Sequence, residues 1–497
     1  MVAISHLTYT EIIVALKDVL ILAPPGKLFK PSTMSGSKFR DIRSSSAWVL
    51  YELNQISEEE CYAMLCDQQF PELTPKAIRI AVAESLKSVH INYTLLNALQ
   101  NIKAQSEGEN FQNGTKSRLR VIGVANISLP EWTALRSRRH WKIFWDLFDT
   151  IITSWMVGAR MPDLAFFDHA ETALQLDPST AIFIALESEL VLVARAEGMK
   201  GLHFEHTKET VRQLLNTFGE PVQRGNDFLK DNARKMMSVT DAGVVTYDNF
   251  SQLLIADLTG QEDFSSFALR RDAFHAWTFF MPDMEGPLEW HPQDVGTTVL
   301  ALLTLNFNEG LVEGVMSAIQ SEPTVDGIAG AQVQCSKLYG SHPPIADPVT
   351  CVNVLRLFYR YGRGSEVHKT FEYVMAIFWN RAYIDGTPLF PHPEMFLYFL
   401  TRFIVESPDK YELYRLIPNM EKRLQEFIGW PKDALGLALK ALSLEMLKID
   451  SRVYTADIKK KQCEDGGWEA DTFCTYGKDR VRLGNRGVAT AFAVKAL

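Results

Sequence analysis

The chain has 497 residues, 46% hydrophobic and 22% charged, with a formal net charge of −9. That length exceeds what one core organises, so two domains are expected, and the acidic balance gives no electrostatic reason to expect nucleic acid or an anionic membrane as partner. No apolar run is long enough to span a bilayer, and the stretch Ile12 to Ala23 is broken by Lys17 and Asp18, against a signal peptide; a soluble cytoplasmic protein of undetermined oligomeric state is expected.

Glu11 to Leu22 reads as a short buried parallel strand followed by a Pro24-Pro25-Gly26 loop. Arg120–Ala125, Ala181–Leu186 and Gly201–His206 have the same character, with helical stretches between them. Strand and helix alternating at this spacing predict a doubly wound α/β domain over 1–218. A helical insert over about 24–110, with Ser57 and Glu60 as a capping box, is expected to form a cap over the sheet. Six cysteines (Cys61, Cys66, Cys335, Cys351, Cys463, Cys474) make neither a disulfide framework nor a C-x-x-C pattern and are expected to be buried thiols.

This order, with Asn126-Ile-Ser128, Arg160-Met-Pro-Asp163 and Ala185 to Glu189 at strand ends, resembles the haloacid dehalogenase-like (HAD-like) phosphatases. The resemblance implies a Rossmann-type domain whose catalytic groups sit at the carboxyl ends of the strands. Ala15 stands where the family has its nucleophilic Asp, Ala125 where a hydroxyl holds phosphate, and Met161 where a Lys neutralises charge. Ala185 and Leu186 replace the magnesium-binding acids, and Glu187 and Glu189 are the remaining carboxylates nearby. Aspartyl-phosphate chemistry needs a carboxylate and an ion to offset phosphate charge, so this half is expected to lack phosphatase activity and a metal site.

In 219–497 the apolar period lengthens to that of helices, as in Leu253–Leu258, Thr297–Asn306, Val349–Tyr361, Phe371–Asn380 and Lys432–Leu447. An all-α domain is expected. Asp294-Val-Gly-Thr297-Thr298 opens one of these helices, and Asp294 reads first as its N-cap. The window also matches the D-x-D-T-T signature of class II terpene cyclases, except that Gly296 occupies the position of the acid that protonates an alkene. Gln462 to Trp468 satisfies the Q-x-x-x-G-x-W core of the terpene cyclase QW repeat, in which a Gln, a Gly turn and a packing Trp clamp successive helices.

A HAD-like domain followed by an α-barrel domain with these two motifs resembles the fungal HAD-like sesquiterpene cyclases of the drimane type, with degenerate motifs in both halves. The resemblance implies a terpenoid cyclase of secondary metabolism, acting on farnesyl diphosphate or a related prenyl diphosphate by a non-standard route. Asp294 is the candidate acid, flanked by Thr297 and Thr298. Trp277, Trp290, Phe358 and Tyr398 are candidates for the aromatic wall, where π faces stabilise a cation without quenching it. Arg486 is the candidate diphosphate ligand. The resemblance fixes no cofactor; magnesium is open, and would enter through the substrate diphosphate. Two other readings stay open: a non-catalytic prenyl-binding or partner-supporting protein, and diphosphate ionisation with cyclisation or prenyl transfer to an aromatic acceptor. The second of these lacks a D-D-x-x-D cluster.

Overall fold

The computed structural model describes residues 9–23, 30–113, 118–266, 277–281, 294–321, 323–324, 326–330, 346–407, 410–426, 433–477 and 479–497. Two compact units emerge, Met1–Gly219 and Glu220–Leu497.

In the first unit five strands form one parallel sheet in the order Thr150–Thr153, Arg120–Ala125, Glu11–Ala15, Ala181–Ala185, Lys200–His203. The three central strands are uninterrupted apolar runs buried on both faces, as parallel sheets covered by helices require. This is the doubly wound, Rossmann-type arrangement expected of the first half. The first strand is shorter than its apolar run suggests. It stops at Ala15, where the Ile21 N–H donates to the Leu16 carbonyl and Asp18 adopts a φ of 61°, folding Lys17–Ile21 into a tight turn. Ile21–Leu22 then pairs antiparallel with His90–Ile91. The edge strand Thr150–Thr153 was not anticipated from sequence, because four residues flanked by polar ones carry no clear period.

Above the sheet, Met34, Phe39, Ile42, Trp48, Tyr62 and Ile78 belong to a separate small core built by the helices Gly36–Arg43, Ser46–Glu52, Glu58–Met64 and Pro75–Ser88. The Ser57–Glu60 capping box is formed. The helix Tyr93–Asn113 puts Leu95, Leu96, Leu99 and Ile102 into the sheet's own core.

In the second unit six helices form a closed ring: Asn249–Thr259, Val295–Thr304, Pro348–Arg360, Pro393–Glu406, Ala434–Met446 and Arg486–Ala496 each pack on the next, and the last packs on the first. Their sequences are apolar nearly all round, with Val295–Leu303 and Ala434–Leu444 buried without a break. Helices with a polar face, including His368–Trp379 and Arg452–Lys460, cover this ring from outside. The unit also holds a small antiparallel sheet in the order Thr472–Tyr476, Val481–Gly484, Ser238–Thr240, Val245–Thr246, an addition to the expected helices.

Candidate functional site

All six ring helices present their N-termini at one end of the ring, and polar caps tie that end together. Asp248 caps the first by accepting from the Ser251 N–H, and the Ser238 hydroxyl donates to its other oxygen. Asn485 caps the last and donates its amide to the same Ser238 hydroxyl, which links the two ends across the small sheet. Asp347 caps Pro348–Arg360 and also accepts from the Leu389 N–H of the loop leading into Pro393–Glu406. His392 and Asp433, at the starts of the next two helices, lie 3.5 Å apart. Neighbouring helices capped side by side must run parallel, so the positive ends of their dipoles converge here.

Asp294 sits in this end. Its carboxylate accepts from the N–H groups of Gly296 (3.2 Å) and Thr297 (2.7 Å) and from the Thr297 hydroxyl. The Asp294 N–H donates to the Trp277 carbonyl; the Trp277 N–H donates to the Thr298 hydroxyl, which in turn donates to the Asp294 carbonyl. Asp294, Thr297, Thr298 and the Trp277 backbone are thus one unit, and the Trp277 ring packs on Phe307 at 5.0 Å between centroids.

Three hydrogen-bond donors and a helix N-terminus all favour the ionised form of Asp294, while burial and the nearby Asp347 carboxylate oppose it. Burial wins and the Asp294 pKa is raised. Asp347 and Asp248 are raised by burial as well, against their own donors. The thiol of Cys474, pushed well up by burial, feels the charge of all three carboxylates, which places them around one spot. Asp347 is 0% exposed and Asp248 1%, whereas Asp294 keeps part of its surface accessible.

Asp248 and Asp347 were missed as site residues from sequence. Each shows only an ordinary helix-capping signal, Asp before Asn-Phe-Ser251 and Asp before Pro348-Val-Thr350, and ring closure alone brings them beside Asp294.

Of the aromatic candidates, Trp277 joins the acid through its backbone, while Phe358 lies well away from it. Phe358 lies eleven residues beyond Asp347 on its helix, roughly 16 Å away along the axis, fully buried with the Arg363 guanidinium over its ring. Tyr398 is buried between Phe399 and Phe492 under Arg402. Trp290 lies outside the described residues.

Arg486 also departs from expectation. Both its terminal nitrogens bond Asp465 at 2.8 Å, its Nε donates to the Trp468 carbonyl, and its guanidinium lies 4.7 Å over Phe228. These contacts use three of its five N–H donors inside the Gln462–Trp468 clamp. The clamp itself forms as its motif requires. Gln462 donates to the Pro221 and Gly466 carbonyls and accepts from Arg224, while the Trp468 indole donates to the Ile458 carbonyl. Gly466 has a φ of 88° and lies so close to Arg224 that a Cβ there would meet its carbonyl at 2.4 Å.

At the strand ends of the first unit, Ala15, Ala125 and Ala185 present methyl groups and Met161 is buried among apolar neighbours. Asn126, next to Ala125, clasps the Met161 backbone from both sides, donating to its carbonyl at 2.7 Å and accepting from its N–H at 2.9 Å. Leu186 and Glu189 are exposed, and these side chains do not make a magnesium site.

A family model described as "Sesquiterpene cyclase astC-like C-terminal domain" matches residues 222–361. The chain is 32% identical over 456 residues to the drimenol cyclase drtB of Aspergillus calidoustus, covering 91% of this chain and 81% of that protein. The sesquiterpene phosphatase astK of Aspergillus oryzae (strain ATCC 42149 / RIB 40) is 28% identical over 178 residues, 36% of this chain and 82% of its own length. A solved structure of a predicted HAD-like family hydrolase from Porphyromonas gingivalis has 18% identity and a TM-score of 0.31, covering 42% of this chain and 98% of that one. With a ring of helices behind a HAD-like unit and this identity spread along nearly its whole length, the chain belongs to the family of HAD-fused, drimane-type sesquiterpene cyclases.

Proposed function

We propose that this protein cyclises farnesyl diphosphate, or a related prenyl diphosphate, by protonating its terminal double bond from Asp294. The observation that carries the reading is a carboxyl group held at the N-terminal end of the helix ring by the Gly296 and Thr297 donors, pushed toward its protonated form by burial and by Asp347, on a residue that is not itself wholly buried. An alkene is a weak base, so its acid must stay protonated in a water-poor site. Once the proton has moved from the Asp294 oxygen to the alkene carbon, the Gly296 and Thr297 donors stabilise the carboxylate left behind. Those donors strengthen their bonds as charge develops, which lowers the barrier. The diphosphate is retained through ring closure, and magnesium enters with it. On this reading the protein works in terpenoid secondary metabolism in the cytoplasm, with a small-molecule prenyl diphosphate as partner.

The test is incubation of the full chain with farnesyl and with geranylgeranyl diphosphate, with and without magnesium, the products identified by mass spectrometry after phosphatase treatment. A cyclised product that keeps its diphosphate until phosphatase is added supports protonation. Free diphosphate released during turnover points to ionisation and overturns it.

A further inference from the structure

The first unit encloses a cavity of about 590 Å³ between the sheet and the cap. Its floor is formed by residues following two strands, Leu16 to Asp18 and Ala125 to Ile127; its roof comes from Gly36, Phe39, Arg40 and Arg43 of the cap helix, and its wall from Trp132 and Leu135. Pockets that bury whole small molecules run roughly 300–1,000 Å³.

The polar groups deep in this cavity bond to one another. Glu131 accepts from Arg43 at 2.8 Å and from the Ser128 hydroxyl at 3.0 Å, so both its oxygens are taken. Arg43 lies 4.9 Å over the Trp48 ring, and Asn126 is engaged with Met161. Apolar surface is what remains to contact a ligand there. Lys17 and Arg40, by contrast, are exposed where they line the cavity and form no ion pair among the described residues, and of the two carboxylates in the lining Glu131 is paired with Arg43, leaving Asp18. The lining is apolar with a surplus of accessible cations.

We infer that this cavity binds, without hydrolysing it, a ligand with an apolar chain and a terminal anion. The chain lies along Leu16, Phe39, Trp132 and Leu135, and the anion meets Lys17 and Arg40. An isoprenoid monophosphate and a fatty acid share this chemistry. The inference does not depend on cyclisation in the second unit.

Calorimetric titration of the full chain with farnesyl monophosphate, laurate and farnesol tests it, in wild type and in two variants at exposed lining positions. Ala23→Trp fills the cavity and is expected to abolish binding of the ligand there. Arg40→Glu reverses the charge and is expected to weaken both anions at least tenfold while leaving farnesol unchanged, with phosphate content of the recovered ligand showing no hydrolysis. Binding of farnesyl monophosphate alone assigns the cavity to prenyl phosphates, and equal binding of laurate assigns it to anionic lipids in general. The melting temperature of each variant, compared with wild type, serves as the control for folding. Anion binding that neither variant changes while that control holds, or no binding of any of the three, would overturn the inference.

Discussion

A side chain on Gly296 would begin 3.2 Å from the Thr350 hydroxyl of the next ring helix and 3.5 Å from the Asp294 carboxylate. The position where the family's acid belongs is therefore tight but open, and its backbone is ordinary helix. Gly296→Asp is expected to fold with a modest loss of melting temperature, because Thr350 must shift by a few tenths of an ångström. It is also expected to gain drimane-type product. Combining it with Thr350→Ala should recover the lost stability, measured by thermal unfolding. A variant that folds but yields no new product would show that the surrounding cavity has lost the shape the reaction needs.

Asp294→Asn keeps the cap and its acceptor but removes the acid. General acid catalysis typically contributes about 10²- to 10⁴-fold, so cyclisation should fall on that scale with the melting temperature nearly unchanged. In the wild type the working species is the protonated carboxyl, present in full below its raised pKa and lost as pH climbs through it. The rate profile should fall on the alkaline side, from a point above the usual carboxylate range. Full activity in Asp294→Asn would remove the acid role.

The first unit is expected to release no phosphate from p-nitrophenyl phosphate with magnesium, assayed on the full chain. Ala15 cannot form an aspartyl phosphate, and Ala185 cannot hold an ion. Turnover above the buffer blank that disappears with chelator would contradict this.

Arg486→Ala should lower stability by about 1–2 kcal/mol through loss of the bonds to Asp465 and Trp468 and of the contact with Phe228. KM for a prenyl diphosphate should not move. A rise in KM at unchanged stability would restore Arg486 as a diphosphate ligand.

Asp471 has its pKa raised to about 6, first by burial and then by Asp433, while its carboxylate accepts from the Leu435 N–H. In the unfolded chain it titrates near its ordinary value, roughly 4. The folded state holds the proton more tightly, so stability falls as pH rises from about 4 to about 6, and the penalty is present in full above that. Asp471→Asn should stabilise by about 1–2 kcal/mol at pH 7, after allowance for partial exposure, and by nothing near pH 4. Paired unfolding curves at the two pH values check both sign and window.

How much of this was legible in the sequence depends on the range of the interaction. Local signals were readable: the apolar strand runs, the Ser57 capping box, the Asp294 cap and the Gln462–Trp468 clamp are each fixed within a few residues. Contacts across the ring were not. Asp347 is more than fifty residues from Asp294, and nothing near it in the chain announces a second buried carboxylate. Arg486 shows the converse, since a turn Arg before an apolar helix looks available until Asp465, twenty-one residues earlier, folds back onto it. The strand Thr150–Thr153 escaped for a third reason: its place is set by pairing with Ile122–Ala125, not by its own four residues.

The Asn126 clasp makes the change at the strand ends hard to reverse. A lone Ala15→Asp would plant a carboxylate at a position only 4% exposed, while the Asn126 amide at the end of the neighbouring strand is already committed at both ends. Each single step back toward hydrolysis is destabilising before any activity returns. The clasp therefore works as a ratchet, and the first unit's future variation is channelled toward what its cavity can hold rather than toward the chemistry it has left.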